Sequence, residues 1–275
     1  MNEFIYAAEL KKTFRCYGHF YRLNIAGQEP LLCRSVLEIT SLPHALSSIA
    51  LATGEAVCAG TDPDDLFTPK MEFHTCASVE HNSLPDAVVI MMNPGSSRPL
   101  EDGDSDSLLT MPLPHDFRKP LVLTQPDNTQ YQIMRIAVSM GWKHIRILNI
   151  SDIRDPKSPS FIAKTKALDG MSDDPKASGG EGGAHSLFSK VRGNEREQML
   201  RHKPGAPFIL GWGQNAGLIP LAKQCLRCIK GEKIITIPSE TNPLLTAHPS
   251  PMMQDKKEDW LKNILTALRR LESMT

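Results

Sequence analysis

The 275-residue sequence has no excess of charge of either sign: 31 lysines and arginines balance 31 aspartates and glutamates. No global field therefore steers the chain onto a polyanion, although a local basic surface would still suffice to hold nucleic acid. It has no apolar run near the roughly 20 residues of a membrane span. Its opening, MNEFIYAAELKK, lacks the layout of a signal peptide, so a cytoplasmic protein without a membrane partner is expected. Cysteine is scarce. Six residues (Cys16, Cys33, Cys58, Cys76, Cys225, Cys228) are too few and too scattered for a disulfide scaffold. Cys225 and Cys228 form a CxxC without the second pair that a metal site would need. Their setting, GLIPLAKQCLRCIKG, reads as a helix with apolar residues every three or four positions, which predicts free thiols. Two catalytic signatures are also missing. GWGQNAG spaces its glycines as GxGxxxG, one residue too long for a dinucleotide-binding turn, and no GxSxG nucleophile elbow occurs. No internal repeat is visible.

What is present is an ordinary globular composition, 40% hydrophobic and 23% charged, in a chain long enough to bury a sizeable core. Residues 14–40 hold two strand-like runs, FRCYGHFYRLNI and LLCRSVLEIT, joined by AGQEP as a plausible hairpin. Residues 41–83 are a mixed connection with a short helical look around HALSSIALA. Residues 1–84 are read as an N-terminal extension and 85–275 as the main domain. In the latter, strand, loop and helix alternate. DAVVIMM, HIRILNI, APFILGW and KIITIPS are short, β-branched apolar runs suited to buried parallel strands. DNTQYQIMRIAVSMGW predicts a helix capped by Asp127 or Asn128, and KKEDWLKNILTALRRLE a closing amphipathic helix with Trp260, Ile264, Leu268 and Leu271 on one face. The acidic EDGDSDS is most simply a solvated loop, and residues 155–190, rich in Ser, Gly, Asp and Pro, read as one long loop. The predicted fold is α/β: a three-layer α/β/α sandwich on a mostly parallel four-stranded sheet, with an N-terminal β-hairpin extension.

In such sheets ligands gather beyond the carboxyl ends of the strands. The first core strand delivers Asn93, Pro94 and Gly95 there, the second Asn149, the third GWGQN, and the segment LLTAHPSPMM delivers His248 between prolines. Singly, each has a bland reading, since an Asn at a strand end is usually a turn former and a lone His a surface residue. No carboxylate or paired histidine accompanies them to form a metal cluster.

Taken in order, VVIMMNPGSS, IRILNISDIR, FILGWGQNA and LLTAHPSPMM resemble the motifs of the uracil-DNA glycosylase superfamily, over residues 87–253. The resemblance implies a monofunctional DNA glycosylase, a monomer without metal or cofactor. Such an enzyme flips a base out of DNA and hydrolyses its N-glycosidic bond, leaving an abasic site. His248 would then stabilise the negative charge on the departing base, Asn93 would orient the attacking water, and Asn149 would read the polar edge of the base. Ser250 would hold a phosphate, helped by Ser96 in the first motif, and Met252 would enter the DNA stack. Arg98, Arg192, Arg196, Arg201, His202 and Lys203 are candidates to track phosphates, against the bland alternative of a solvated helix face. The family's uracil-specific branch has Asp where this chain has Asn93, and a tyrosine where it has Gly95. The first departure implies slower catalysis or a better leaving group. The second implies a pocket open at carbon 5 of a pyrimidine, suited to thymine or to bulky modified cytosines of phage DNA, and so to phage defence. Alternatives are a uracil or mismatched-thymine repair glycosylase, a hydrolase of free nucleosides, and a non-catalytic nucleic-acid- or nucleotide-binding relative of the fold.

Overall fold

Each of the four apolar runs becomes a parallel strand in the computed structural model, which describes residues 4–25, 29–42, 84–100, 109–111, 121–172 and 181–273. These are β3 (Ala87–Met91), β6 (His144–Asn149), β7 (Phe208–Gly211) and β8 (Ile234–Thr236), side by side in the order β6-β3-β7-β8. β3 and β6 are buried at every position; β3 runs apolar throughout for that reason, whereas β6 also buries His144 and Arg146. The crossovers that return the chain to the same edge carry the helices.

The sheet is wider than the four strands expected. The hairpin forms as predicted, from β1 (Phe14–Leu23) and β2 (Leu31–Ser41). It does not stand apart, however: β2 pairs antiparallel with β6, Leu37 opposite Ile147 and Ile39 opposite Ile145. Short strands β4 (Leu109–Met111) and β5 (Val122–Leu123) then pair with β1, giving one eight-stranded mixed sheet. The physical reason lies in β2, buried from Cys33 to Thr40 on both faces, so that it needs partners on both edges and layers above and below. The sequence marks it as a strand but not as an interior one.

At the β2–β6 junction Glu38 faces Arg146 in register. Its buried carboxylate accepts from Arg146 Nε (2.7 Å) and lies 2.8 Å from His144 Nε2. Burial alone would raise its pKa; the charge of Arg146 and the bond from His144 more than offset this and hold it at about 2.

Two apolar clusters cover the two faces of the sheet. One gathers α1 (Ala7–Thr13), α2 (Asn128–Met140) and α6 (Gln254–Glu272) through Leu10, Ile133, Ile136, Trp260, Ile264 and Leu268. The other gathers α3 (Ser158–Ser172), α4 (Gly193–Met199) and α5 (Ile219–Cys228) through Phe161, Leu168, Met199, Leu221 and Cys225. Of the two cap candidates it is Asp127 that caps α2: its Oδ1 accepts from the amides of Thr129 and Gln130, and Gln130 Oε1 accepts from the Asp127 amide. The α3 helix corrects the long-loop reading of residues 155–190. Its polar ends suggest a loop, but Phe161, Ile162 and Leu168 bury against the core, and Asp155 ties its start through the Lys157 amide, Ser160 and Lys164. The helical look at HALSSIALA and the acidic loop EDGDSDS lie outside the described residues. No described helix is long and apolar enough to cross a membrane.

Candidate active site

Strand register assembles the constellation. Met91 pairs with Asn149 on one side and Gly211 on the other, so the ends of β6, β3 and β7 form one row. Beyond Met91 the chain turns sharply. The Ser97 amide donates to the Pro94 carbonyl (3.1 Å), and Gly95 takes φ 60°. Among the described residues no other residue type shows positive φ, so Ser96 does not, and the turn is of type II′, which asks for glycine at its first central position. A Cβ on Gly95 would meet nothing within 4 Å, so the space beside it is open. Glycine stands there because the backbone requires it; the openness is a separate fact.

The Asn93 side chain is fixed in one orientation. Nδ2 donates to the carbonyls of Ile153 (3.1 Å) and Asp155 (2.7 Å), which uses both amide hydrogens and leaves Oδ1 as an acceptor. A carboxylate could make neither bond and would set its charge against two carbonyls. The loop after β6 thus gives a physical reason for asparagine at this position instead of aspartate.

Asn149 sits behind Asn93, fully buried. Its amide is satisfied in one orientation: nitrogen donating to the Asn93 backbone carbonyl (3.2 Å), oxygen accepting from Arg34 Nη2 (3.3 Å). It holds its neighbours in place and does not present its edge to a ligand. Arg34 itself belongs to none of the four motifs. It is buried in β2 on neutral partners, with Nη1 donating to Ser97 Oγ (2.6 Å) and Nε making no bond. Burial lowers its pKa to about 10, so it remains charged at neutral pH. An arginine among the apolar residues of a strand-like run was the available signal.

His248 reaches the row through Pro249. A Cβ on Gly211 would stand 2.8 Å from Pro249 Cδ and 3.0 Å from Cγ, so only glycine lets the HPSP segment close on β7. The buried Gln132 of α2 donates from Nε2 to the carbonyls of Pro249 (3.1 Å) and Lys257 (2.9 Å), pinning the segment from the other side. The Ser250 amide donates to His248 Nδ1 (3.1 Å). Nδ1 is therefore an acceptor, and the neutral ring carries its proton on Nε2 as an available donor. Burial lowers the His248 pKa below its ordinary 6.5. Replacing Gly211 with alanine should force Pro249 outward, costing about 1–3 kcal/mol in thermal or urea unfolding and displacing the imidazole.

The basic candidates divide. Arg98 is exposed, with one bond to Gln125, and Ser96 is exposed beside it. Arg192 is buried, donating to Asp152 and making a bidentate pair with Glu195, so its guanidinium is committed inside. Arg196 donates to the Ser189 carbonyl at 2.6 Å. Lys203 pairs with Asp86, and His202 packs on Phe208. Arg201, His202 and Lys203 precede β7 and therefore lie at the amino end of that strand, away from the constellation. Being just before a strand in sequence places a residue at the end opposite to the ligands. Met252 is 99% exposed and Met253 59%, directly before α6.

Surface cavities among the described residues include two that lie elsewhere. One of roughly 220 Å3 lies at the amino ends of the strands, beside Asp86, Trp142, Lys203 and Lys233; the other, roughly 300 Å3, lies beside Arg196 and Cys228. Neither borders Asn93 or His248, and we place the candidate site by strand-end geometry rather than by concavity. Among the described residues no group of three or more His, Cys, Asp or Glu is arranged to hold a metal ion. The chain matches no family model, no curated protein and no solved structure.

Proposed function

We propose that the protein is a metal-independent DNA glycosylase built on a three-layer α/β/α core. It takes a flipped-out pyrimidine at the carboxyl ends of β3 and β7 and hydrolyses its N-glycosidic bond. One observation carries the reading: two side chains of opposite polarity are fixed in advance, one just beyond the end of β3 and one in the segment packed on the end of β7. Asn93 offers only its carbonyl oxygen, suited to orient a water, and His248 offers only Nε2–H, suited to a leaving base. Such fixed donors lower a barrier because they need no reorganisation when charge develops. The buried positive charge of Arg34 behind Asn149, which has neutral hydrogen-bond partners only among the described residues, favours an anionic leaving group in the same place.

DNA is the proposed partner, approached over Ser96, Arg98, Ser250 and the exposed Met252, with the amides of the first turn of α6 available to a phosphate. The open space at Gly95 favours a pyrimidine substituted at carbon 5, and with it a role against phage DNA carrying modified cytosines. The direct test is to incubate the protein with oligonucleotides containing uracil, mismatched thymine or 5-modified cytosine and with phage genomic DNA, and to look for abasic sites. Excision of uracil with rejection of every 5-substituted base would make it a uracil repair enzyme. Cleavage of nucleosides alone would make it a nucleoside hydrolase, and binding without cleavage a non-catalytic relative.

The pH dependence follows from His248. The neutral ring is the donor, and its pKa is lowered, so single-turnover cleavage should stay level as pH falls through 6.5 and decline only at more acid values. The same shift makes this residue's contribution to stability fall as pH drops below 6.5, because the unfolded chain takes up the proton first. A rate that halves near pH 6.5 or above would contradict the neutral-donor role.

A further inference from the structure

Asn93 cannot act as a base toward water, and the loop carbonyls that hold it exclude a carboxylate at that position. The fold brings one in from another element. Gln125 donates its amide to the Arg98 carbonyl, Thr124 bridges to Pro99, and Ser97 of the same turn accepts from Arg34. This ties residues 124–125 to the first-motif turn. Asp127 follows two residues later and starts α2, whose Gln132 is bonded to Pro249, the residue next to His248. Asp127 is thus bracketed between the Asn93 turn and the His248 segment. Its charge stabilises the charged forms of both Arg34 and His248, as proximity to both requires.

The cap itself uses little of the carboxylate. Oδ1 accepts both α2 amides, from Thr129 (2.9 Å) and Gln130 (3.0 Å), and among the described residues Oδ2 makes no hydrogen bond. We infer that Asp127 is the general base of the site, supplying from the N-cap of α2 the carboxylate that the first motif lacks; this rests on the glycosylase reading. In the step, water held by Asn93 Oδ1 forms its bond to C1′ of the sugar while the N-glycosidic bond breaks. The bonding pair leaves with the base, whose charge is met by His248 Nε2–H, and the water proton passes to Asp127 Oδ2. A plain helix cap would need none of this chemistry, and the two roles separate on substitution.

Asp127→Asn keeps an oxygen for both amides, since asparagine caps as well as aspartate, but cannot take a proton. Single-turnover cleavage of whichever oligonucleotide the wild type cleaves should fall at least about 100-fold, with KM little changed. The melting midpoint should move by no more than about 2 °C. In Asp127→Ala, added formate should restore part of the lost rate, which no structural role of the cap would do. An Asn variant that cleaves at the wild-type rate overturns the inference and leaves the glycosylase reading standing. A wild type that cleaves none of the oligonucleotides overturns that reading, and the inference with it.

Discussion

Replacing His248 by alanine should slow base release by about 10²–10³-fold, the usual loss when one donor aimed at a developing charge is removed. The effect should fall on the single-turnover rate constant and leave DNA affinity nearly unchanged, because a neutral imidazole contributes little to binding phosphates. Folding should suffer little: among the described residues the His248 side chain makes one hydrogen bond, accepted from the Ser250 amide, and the segment is still held by Gln132 on Pro249 and by the fit of Pro249 on Gly211. Asn93→Ala should lower the rate as well, and it should also loosen the loop at Ile153–Asp155, whose carbonyls lose their donor. The two losses need not add, since the residues act in one step. Abasic-site formation that survives in the double variant would sink the mechanism.

The largest effect on stability is expected at the β2–β6 junction. Arg146→Met removes the charge that holds Glu38 at a pKa of about 2 and leaves a fully buried carboxylate with only His144. Breaking a buried pair by removing one partner typically costs about 3–5 kcal/mol, which for a chain of this size is a fall in melting midpoint of roughly 10 °C. The Met199 and Arg201 carbonyls, which also accept from Arg146, would lose their donor. Replacing Glu38 and Arg146 together with methionine should recover part of the loss, because two apolar side chains leave no orphaned charge. The wild type should show the complementary acid response. Glu38 is held below its ordinary 4.5, so its contribution is complete above that pH and disappears as pH falls from 4.5 towards 2. Urea titrations of the single and double variants at neutral and acid pH would measure both effects. A single variant as stable as the wild type would show that the junction bears no such load.

The elements were legible in the sequence because each advertises itself locally. Four short apolar runs, a cap candidate at Asp127 or Asn128 and a 3.6-residue stripe at Trp260, Ile264 and Leu268 are short-range patterns: the four strands and both helices form, with Asp127 as the cap and β8 only partly buried. The α3 helix escaped because its polar ends outweigh three buried apolar residues in a composition average. The order of Asn93, Asn149 and His248 at strand ends was likewise a matter of pattern.

Long-range contacts decided the rest, since no local pattern states which edge or end a residue will meet. Pairing of β2 with β6 placed Arg34 behind Asn149, and only that pairing makes the hairpin part of the site. The parallel crossover carried Arg201, His202 and Lys203 to the amino end of β7, and burial turned Arg192 inward onto Asp152 and Glu195. By itself the sequence determined which residues end the strands. The tertiary structure decided which atoms of them stay free: the distant loop after β6 takes up the Asn93 amide hydrogens, and the turn of the HPSP segment, held against β7, occupies the His248 Nδ1 lone pair, leaving one acceptor and one donor.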